Sequence, residues 1–340
     1  MRKRTSGIIA ASTVGLFMLS GCGAGVTGDA GSTEKWDMFV HVGLDHPVSV
    51  ELQAFADEVA DETDGRIEIT LRPAGELPYQ QDESLDILQN GLVEAGLIAG
   101  GSVGGQEPLF DIAGFPFLVR DEDELEKVLP VFHDHIDPVL GDEHNVVRLG
   151  EYVWPAQAIW LADDVESIDG AAGSKVRVFN AITAETSEIM GMSPVSMPAT
   201  EVNSSLQRGT IDGAWTSVSH AQGSKLDELV KSVIEAKAGY VYDVFGVRAD
   251  IFESLSDDDQ EILRDAGESA TERLMDVNIG SGEDEGWEYI EDAGVNIVEL
   301  SDSELDEIGG EVAPLYDGWA EERGEGATAL LADVREAVGR

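Results

Sequence analysis

Cysteine and basic residues are both scarce in this chain. Cys22 is the only cysteine among 340 residues, so an intrachain disulfide is impossible. Lys and Arg number 21 against 68 Asp and Glu, which leaves a formal net charge of −47 at pH 7. A surface this acidic repels phosphate backbones and anionic lipid, and nucleic-acid binding is therefore excluded as a class of function.

A hydrophobic run long enough to span a bilayer is also lacking at the N-terminus. Residues 8–19 are mostly apolar, but they are too few for a permanent transmembrane helix. They follow a basic start and end at Leu-Ser-Gly-Cys, the three-part layout of an export signal. This ending resembles the lipobox of bacterial lipoproteins, which implies a lipoprotein signal over residues 1–22 and lipidation at Cys22. An ordinary cleaved signal is the alternative.

A diacyl anchor on Cys22 would hold the protein at the outer face of the membrane, and we predict this extracytoplasmic location. Residues 23–35 are small and polar and are predicted to form a flexible tether. The acidic residues are spread along the rest of the chain, which indicates a high-salt habitat where screening removes most self-repulsion. The roughly 305 residues after the tether are more than a single hydrophobic core usually accommodates, so two domains are expected.

Hydrophobic periodicity predicts two α/β units. In the first, strands at 36–43, 66–71 and 95–99 alternate with helices at 48–63 and 84–93, which implies a parallel sheet flanked by helices. The glycine-rich stretch 100–105 then reads as a loop at a strand's carboxyl end, where ligands bind in open α/β sheets. It does not match a dinucleotide-binding fingerprint.

The second unit repeats this alternation. Its predicted helices cover 183–190, with Thr183 as N-cap, and 201–208. Residues 240–247 are predicted to form a strand that returns to the first sheet. The acidic helices that begin at Ser256 are predicted to pack across both units. We predict lobe I over 36–154 and about 241–285, and lobe II over 155–240 and about 286–340. The predicted strands of the second unit are 146–153, 157–161, 175–179, 194–198 and 210–215.

Arg177 is an unusual residue because a cation occupies a strand of otherwise β-branched and aromatic residues. A surface ion pair with one of the many acids is the commoner fate of such a residue. However, the strand leads directly into Asn180 and a helix start, where α/β folds place ligand contacts. A guanidinium at this position would offer a planar, two-pronged donor to a carboxylate.

Residues 173–215 resemble the second-domain signature of the DctP-type solute-binding proteins of TRAP (tripartite ATP-independent periplasmic) transporters. They contain, in order, a basic-Val-Arg strand, a Gly-x-x-Pro turn, Met-Pro-x-x-Glu and Leu-Gln-x-Gly-x-x-Asp-Gly. The first domain is similar through Thr-x-Gly-Arg, Gly-Glu-Leu-Pro-Tyr, Gln-x-Gly and a Pro-Phe pair at 116–117. The likeness extends from about residue 37 to at least 263 and implies a two-lobed α/β fold like that of periplasmic binding proteins.

The resemblance implies that Arg177 holds the carboxylate of a transported organic acid. The chain departs from the family at a second arginine, because no cation lies between Arg148 and Lys175, and Gln157 stands near that place. Near the Asp-Gly turn, the family often has a Glu-Asn or Glu-Trp pair, whereas Trp215 and Thr216 follow Ala214 here. This puts metal coordination in doubt, and no metal or cofactor is expected, although a metal-assisted 2-oxo or hydroxy acid binder is an alternative.

Aromatic residues fill the rest of the suspected cleft. One arginine with an aromatic floor indicates a monocarboxylate with a hydrophobic or aromatic body. Trp160 and Phe179 are interpreted as core residues. The predicted ligand-binding set is Arg177, Trp215, Gln157, Asn180, Tyr79, Trp154, Glu76 and Thr216.

Catalysis is not expected. His133 and His135 are two residues apart on a helical segment, which makes a poor metal pair, and no nucleophile elbow surrounds the serines beside His220. We predict a monomer that closes on an organic acid and delivers it to the TRAP membrane permease subunits. A ligand-binding receptor for a sensor kinase is the alternative, because it would use the same fold.

Overall fold

Two β-sheets organise residues 33–340, the part of the chain that the computed structural model describes. The predicted signal, the lipidation of Cys22 and most of the predicted tether lie outside the described residues. The first strand begins at Glu34, which pairs with Ile67, so the last two residues of the predicted tether belong to the sheet instead.

The first sheet contains five strands in the order β2-β1-β3-β10-β4: β1 (Glu34–Phe39), β2 (Ile67–Arg72), β3 (Ala95–Ile98), β4 (Val146–Trp154) and β10 (Val241–Arg248). β1 is parallel to β2 and β3, and helices α1 (Pro47–Glu62) and α2 (Ser84–Gln89) connect them, as the sequence predicts. β10 lies antiparallel between β3 and β4, with Val244 opposite Ile98 and Glu151. The predicted return of this strand to the first sheet is therefore confirmed.

The second sheet contains six strands in the order β11-β9-β5-β8-β6-β7: β5 (Ala158–Leu161), β6 (Lys175–Val178), β7 (Ser193–Ser196), β8 (Gly213–Thr216), β9 (Ser232–Glu235) and β11 (Asn296–Glu299). β6 lies between β8 and β7 and runs parallel to both. The sequence did not predict β9 or β11, because each is only four residues long and β11 lies in an acidic region with a helical pattern. The strand predicted at 146–153 for the second unit is β4, which belongs to the first sheet because it pairs with β10.

The remaining helices flank these sheets. The described ones are α3 (Gly100–Val103), α4 (Glu122–His144), α5 (Ala181–Ile189), α6 (Val202–Gln207), α7 (Val218–Gly223), α8 (Ala249–Phe252), α9 (Asp257–Asn278), α10 (Ser281–Asp292), α11 (Asp302–Arg323) and α12 (Glu325–Val338). Ser256 caps α9 as predicted, because its Oγ accepts a hydrogen bond from the Asp259 N–H at 3.1 Å. Within residues 33–340, no helix has the length and apolar character needed to cross a membrane.

Two local predictions were wrong. The predicted loop 100–105 begins with the short helix α3, because the Gly100 N–H donates to the Asp243 carboxylate at 2.8 Å and fixes this turn against β10. The N-cap of α5 is Asn180, not Thr183, since the Asn180 Oδ1 accepts from the Thr183 N–H at 2.9 Å. Asn180 has the extended backbone that an N-cap requires, whereas Thr183 lies inside the first turn of the helix.

The segments that cross between the sheets are joined by backbone hydrogen bonds. The Gln157 N–H donates to the Gly239 carbonyl at 3.0 Å, and the Ala238 N–H donates to the Gln157 carbonyl at 3.2 Å. The crossover from β4 to β5 and the crossover from β9 to β10 therefore form one two-stranded ribbon. A third crossover runs through the α9–α10 junction, where the Asn278 side chain donates to the Val153 carbonyl.

The C-terminal helices contact both halves of the chain. α10 packs on the second sheet, where the Trp287 ring stacks on Trp160 at 5.9 Å between centroids. In contrast, α12 packs against α4, and Arg340 pairs with Glu124 of α4 at 2.7 Å. The predicted lobe II segment, about 286–340, thus ends in a helix that packs on the predicted lobe I, while the other predicted lobe boundaries stay predictions.

Candidate ligand-binding cleft

A cavity of about 410 Å³ lies between the two sheets. Its first wall consists of the segment 41–47 after β1, the start of α3, Trp154 and Asp243, all belonging to elements of the first sheet. Its second wall consists of Arg177, Phe179 and residues from 199–200 and 216–224. The volume is within the ordinary range for a site that takes a small molecule, roughly 300–1,000 Å³.

Arg177 is held inside this cavity by backbone carbonyls. Its Nε donates to the Met197 carbonyl at 3.0 Å and its Nη1 to the Trp215 carbonyl at 2.9 Å. The residue is 5% exposed, and no carboxylate within residues 33–340 lies at ion-pair distance from it. A guanidinium has five N–H donors, so three remain without a partner in the described part of the chain. Burial lowers the pKa of Arg177 to about 10, which leaves it cationic at neutral pH.

Phe179 lies beside Arg177 and lines the cavity, although the sequence predicted it as a core residue. Its ring centroid is 5.4 Å from the Arg177 Cζ, a cation–π distance. Phe179 is partly buried against the hydrophobic core, as predicted. It also borders the cavity because β6 ends at Val178, so that Phe179 belongs to the loop that follows the strand. Trp160, in contrast, is fully buried, as predicted for a core residue.

Asp243 is the acidic group of the opposite wall. Its Oδ2 accepts from the Trp154 indole N–H at 2.8 Å, and its Oδ1 accepts from the Gly100 N–H at 2.8 Å. Asp243 is 1% exposed, and burial raises the pKa of its carboxyl to about 7 despite these two donors. Asp243 could not be identified from the sequence, because nothing in the pattern of β10 distinguishes it from a surface acid.

Three histidines surround Trp154. The His46 ring centroid is 5.3 Å from the Trp154 ring, and the His41 and His220 centroids are each 6.4 Å from it. Burial lowers the pKa of all three imidazoles to about 4, so they are neutral hydrogen-bonding groups at pH 7. In the sequence, His220 is notable only for the serines beside it. The position of His41 and His46 just after β1 was the signal that could have identified them.

The structure brings together four of the eight predicted site residues. Arg177, Gln157, Trp154 and Thr216 all line the cavity. The Gln157 side chain donates to the Pro155 carbonyl at 3.0 Å, which fixes its amide at the ribbon between the sheets. All four reach the cavity because each lies at or just beyond a strand end, and their role in ligand binding stays a prediction.

The other four predicted site residues make different contacts and do not line the cavity. Trp215 is fully buried, and its indole N–H donates to the Ser187 hydroxyl at 2.9 Å. Asn180 caps α5, as described above. Glu76 is exposed and pairs with Arg72 at 2.6 Å, and Tyr79 packs against the hydrophobic core.

A second cavity, of about 220 Å³, also borders Gln157. Its lining includes Glu235 and Glu283. Burial raises the pKa of Glu283 to about 7, and it also raises the pKa of Glu235. In the described part of the chain, neither cavity contains three or more His, Cys, Asp or Glu residues arranged to hold a metal ion.

Two β-sheets with flanking helices lie on either side of a cavity, and a buried guanidinium lies on one wall. This arrangement is typical of a two-lobed solute-binding protein. The family model DctP, described as bacterial extracellular solute-binding protein, family 7, matches residues 39–322. The chain belongs to this family. Its members are solute-binding receptors and not enzymes, which agrees with the expectation from the sequence.

Individual proteins support this assignment. A solute-binding protein of Chromohalobacter salexigens is 26% identical over 98% of this chain and 97% of its own. The ectoine-binding periplasmic protein TeaA of Halomonas elongata is 24% identical over 95% and 94%. The crystal structure of DctP7, a Bordetella pertussis extracytoplasmic solute receptor binding pyroglutamic acid, superposes with a TM-score of 0.82 at 24% identity, covering 89% of this chain and all of that one. The predicted two-lobed fold is therefore confirmed.

Proposed function

We propose that this protein is the solute receptor of a TRAP transporter and that it binds a small organic acid through Arg177. The proposal rests on one observation, namely that Arg177 is buried in the cavity without an acidic partner in the described part of the chain. In a chain with a net charge of −47, this buried cation has no acidic partner among residues 33–340. We infer that the anion that completes the site is the solute itself.

The physical argument concerns the cost of a buried charge. A buried ion without a counter-ion is destabilising, and pairing with an anion at hydrogen-bonding geometry offsets much of that cost. The two carbonyls that hold Arg177 leave its Nη2 edge available, and a planar guanidinium can donate two parallel hydrogen bonds to a carboxylate. Exclusion of water from the cavity strengthens this contact.

The ligands named for two of the similar proteins are consistent with such a site. Ectoine and pyroglutamic acid, named for TeaA and for DctP7, each carry a carboxylate on a small ring. Trp154 and Phe179 provide flat apolar surface on the two walls of the cavity of this chain, which fits a compact ring or chain attached to a carboxylate.

We further propose that binding proceeds by closure of the two lobes. The solute stabilises the closed state through contacts with both walls, because only a difference in affinity between two states can shift their populations. The closed protein then delivers the solute to the membrane permease subunits of the transporter. In this proposal the protein is a monomer of a high-salt habitat, held at the outer face of the membrane by a lipid on Cys22. No described feature favours a sensor-kinase receptor or a metal-assisted acid binder.

The test is a calorimetric comparison of two substitutions on the same strand. Carboxylates that raise the melting temperature in a thermal-shift screen are first selected, since a ligand stabilises the folded state by mass action. Arg177→Ala is expected to weaken their binding by about 2–4 kcal/mol, because a charged partner is lost in a buried site. Lys175→Ala, at the exposed start of β6, is the matched control and should not alter affinity. Unchanged affinity in Arg177→Ala would refute the proposed role.

A further inference from the structure

Asp243 and Arg177 carry opposite charges on opposite walls of one cavity. Asp243 belongs to β10 of the first sheet and Arg177 to β6 of the second, and both line the cleft. They do not pair with each other, since Arg177 forms no ion pair within residues 33–340. The cavity therefore offers a cation to a ligand at one side and, above the Asp243 pKa of about 7, an anion at the other.

Among residues 33–340, the Asp243 carboxylate also lacks a partner that is cationic at neutral pH. The nearest basic group is the His41 imidazole, whose Nε2 is 3.5 Å from the Asp243 Oδ2, but this ring is neutral near pH 7 because burial lowers its pKa to about 4. The two donors to Asp243 are the Trp154 indole and the Gly100 N–H, both uncharged. A nearly fully buried carboxylate thus depends on neutral donors alone.

The carboxylate retains capacity for a further donor. A carboxylate accepts about four hydrogen bonds, and two neutral N–H groups and the more distant His41 leave part of this capacity unused. The Trp154 indole orients the carboxylate, and its own half-buried ring lines the cavity next to His46. A ring lying on Trp154 would have its polar edge near Asp243.

We propose that the solute carries a positively charged or strongly polarised N–H group in addition to its carboxylate, and that Asp243 binds this group while Arg177 binds the carboxylate. This inference rests on the proposed function and specifies its substrate class: small cyclic carboxylates with a ring nitrogen that bears hydrogen. A purely hydrocarbon acid would close the cleft over Asp243 without a partner for its charge, which is costly in a water-excluded site.

The arrangement also connects the solute to lobe closure. A ligand that binds only Arg177 contacts the second wall and gains little from approach of the first. A ligand with charges at both ends gains an ionic contact from each wall, and both contacts are complete only when the walls approach. Binding energy is then available to favour the closed state over the open one.

The experiment compares two ring acids that differ in one group. L-Proline carries a carboxylate and a ring NH₂⁺, and cyclopentanecarboxylate has the same five-membered ring with CH₂ in that place. We expect calorimetry at pH 8 in high salt to show about tenfold or greater preference of the unmodified protein for L-proline. Equal affinity for the two acids would overturn the proposal, and this comparison requires no variant. Absence of binding by both acids would also overturn the proposed substrate class.

Asp243→Asn provides the second measurement. The amide keeps the shape of the side chain but not its negative charge. The affinity for L-proline should therefore fall and the affinity for cyclopentanecarboxylate should rise, which brings the preference for L-proline to near unity. An unchanged preference in this variant would overturn the role of Asp243. The proposed function fails by a different result, namely that Arg177→Ala leaves the binding of every tested carboxylate unchanged. The two failures are therefore distinguishable.

Discussion

The guanidinium of Arg177 donates a hydrogen bond of 2.9 Å to the backbone carbonyl of Trp215. Together with the bond to the Met197 carbonyl at 3.0 Å, this contact fixes the orientation of the side chain before any solute arrives. A fixed donor loses less conformational freedom when it binds, so more of each new hydrogen bond contributes to affinity. Trp215 thus supports the site through its backbone, while its indole is buried against Ser187.

Arg177→Lys should show how much this fixed geometry contributes. Lysine keeps the charge but has a single ammonium group, which cannot reproduce the two carbonyl contacts and a two-pronged bond to a carboxylate at once. We expect affinity for the solute to fall by about 1.5–3 kcal/mol, the range for hydrogen bonds to charged groups. Calorimetry measures this change, and wild-type affinity in the lysine variant would show that charge alone accounts for binding.

His220 should produce a measurable pH dependence of stability. Burial lowers the pKa of its imidazole to about 4 from 6.5, so between these values the unfolded state binds a proton that the folded state does not. Stability contributed by this group is therefore lost as pH falls from 6.5 to 4. His220→Gln lacks this loss. As the pH falls, the free energy of unfolding of the variant should therefore rise relative to that of the wild type, by up to about 1.36 kcal/mol for each pH unit.

Urea denaturation at pH 7, 6 and 5 provides the measurement for His220→Gln. The comparison is made as a difference from wild type because Asp243 and Glu283, whose pKa values burial raises to about 7, act in the opposite sense. Both acids remain in the variant, so their contributions cancel. A difference that stays constant across this range would show that the imidazole titrates alike in the folded and unfolded states.

Gly100→Ala should strongly destabilise the fold. A Cβ at this position would overlap the Tyr242 carbonyl and lie 2.9 Å from the Phe110 Cδ1. Both neighbours are buried, so relief would require moving α3 away from β10, and we expect a loss of about 1–3 kcal/mol in the free energy of unfolding. Gly105→Ala is the matched control, because no atom lies within 4 Å of the added carbon there. Similar stability of the two variants would contradict the close approach of α3 and β10.

Much of this fold was predictable because the signals are local. The alternation that defines β1 and β2 and the stripe of α1 follow from apolar spacing, and Ser256 precedes α9 as an ordinary N-cap. Arg177 could be identified because a cation near a strand end is rare in so acidic a chain. These features depend on a few neighbouring residues, which a sequence displays directly.

The part of the site that the sequence did not predict depends on contacts between residues that are far apart in the chain. Asp243 meets Gly100 across 143 positions of sequence, and nothing in either segment indicates the pairing. Trp215 was predicted to face the ligand, but the register of β8 buries its ring and leaves its carbonyl for Arg177. Which face of a short strand meets the cleft is decided by tertiary packing, because a one-residue change of register reverses it.

Salt concentration should affect stability because of the net charge of −47. The Debye length falls from about 10 Å at 0.1 M salt to about 3 Å at 1 M, so repulsion among the surface acids weakens and the folded state is favoured. We expect the thermal unfolding midpoint to rise between 0.1 and 1 M in NaCl and in KCl alike, as followed by circular dichroism. A midpoint that falls with added salt would show that attractive surface ion pairs dominate instead.

The ribbon formed by Gln157, Ala238 and Gly239 is a partition between two chambers, because Gln157 borders both the larger and the smaller cavity. Since hydrogen bonds join its two segments, a displacement of one segment would carry the other with it. A displacement toward the larger cavity would enlarge the smaller one, which Glu235 and Glu283 border, and would leave room there for water. The volume change of binding measured under pressure would then be smaller than the size of the solute suggests.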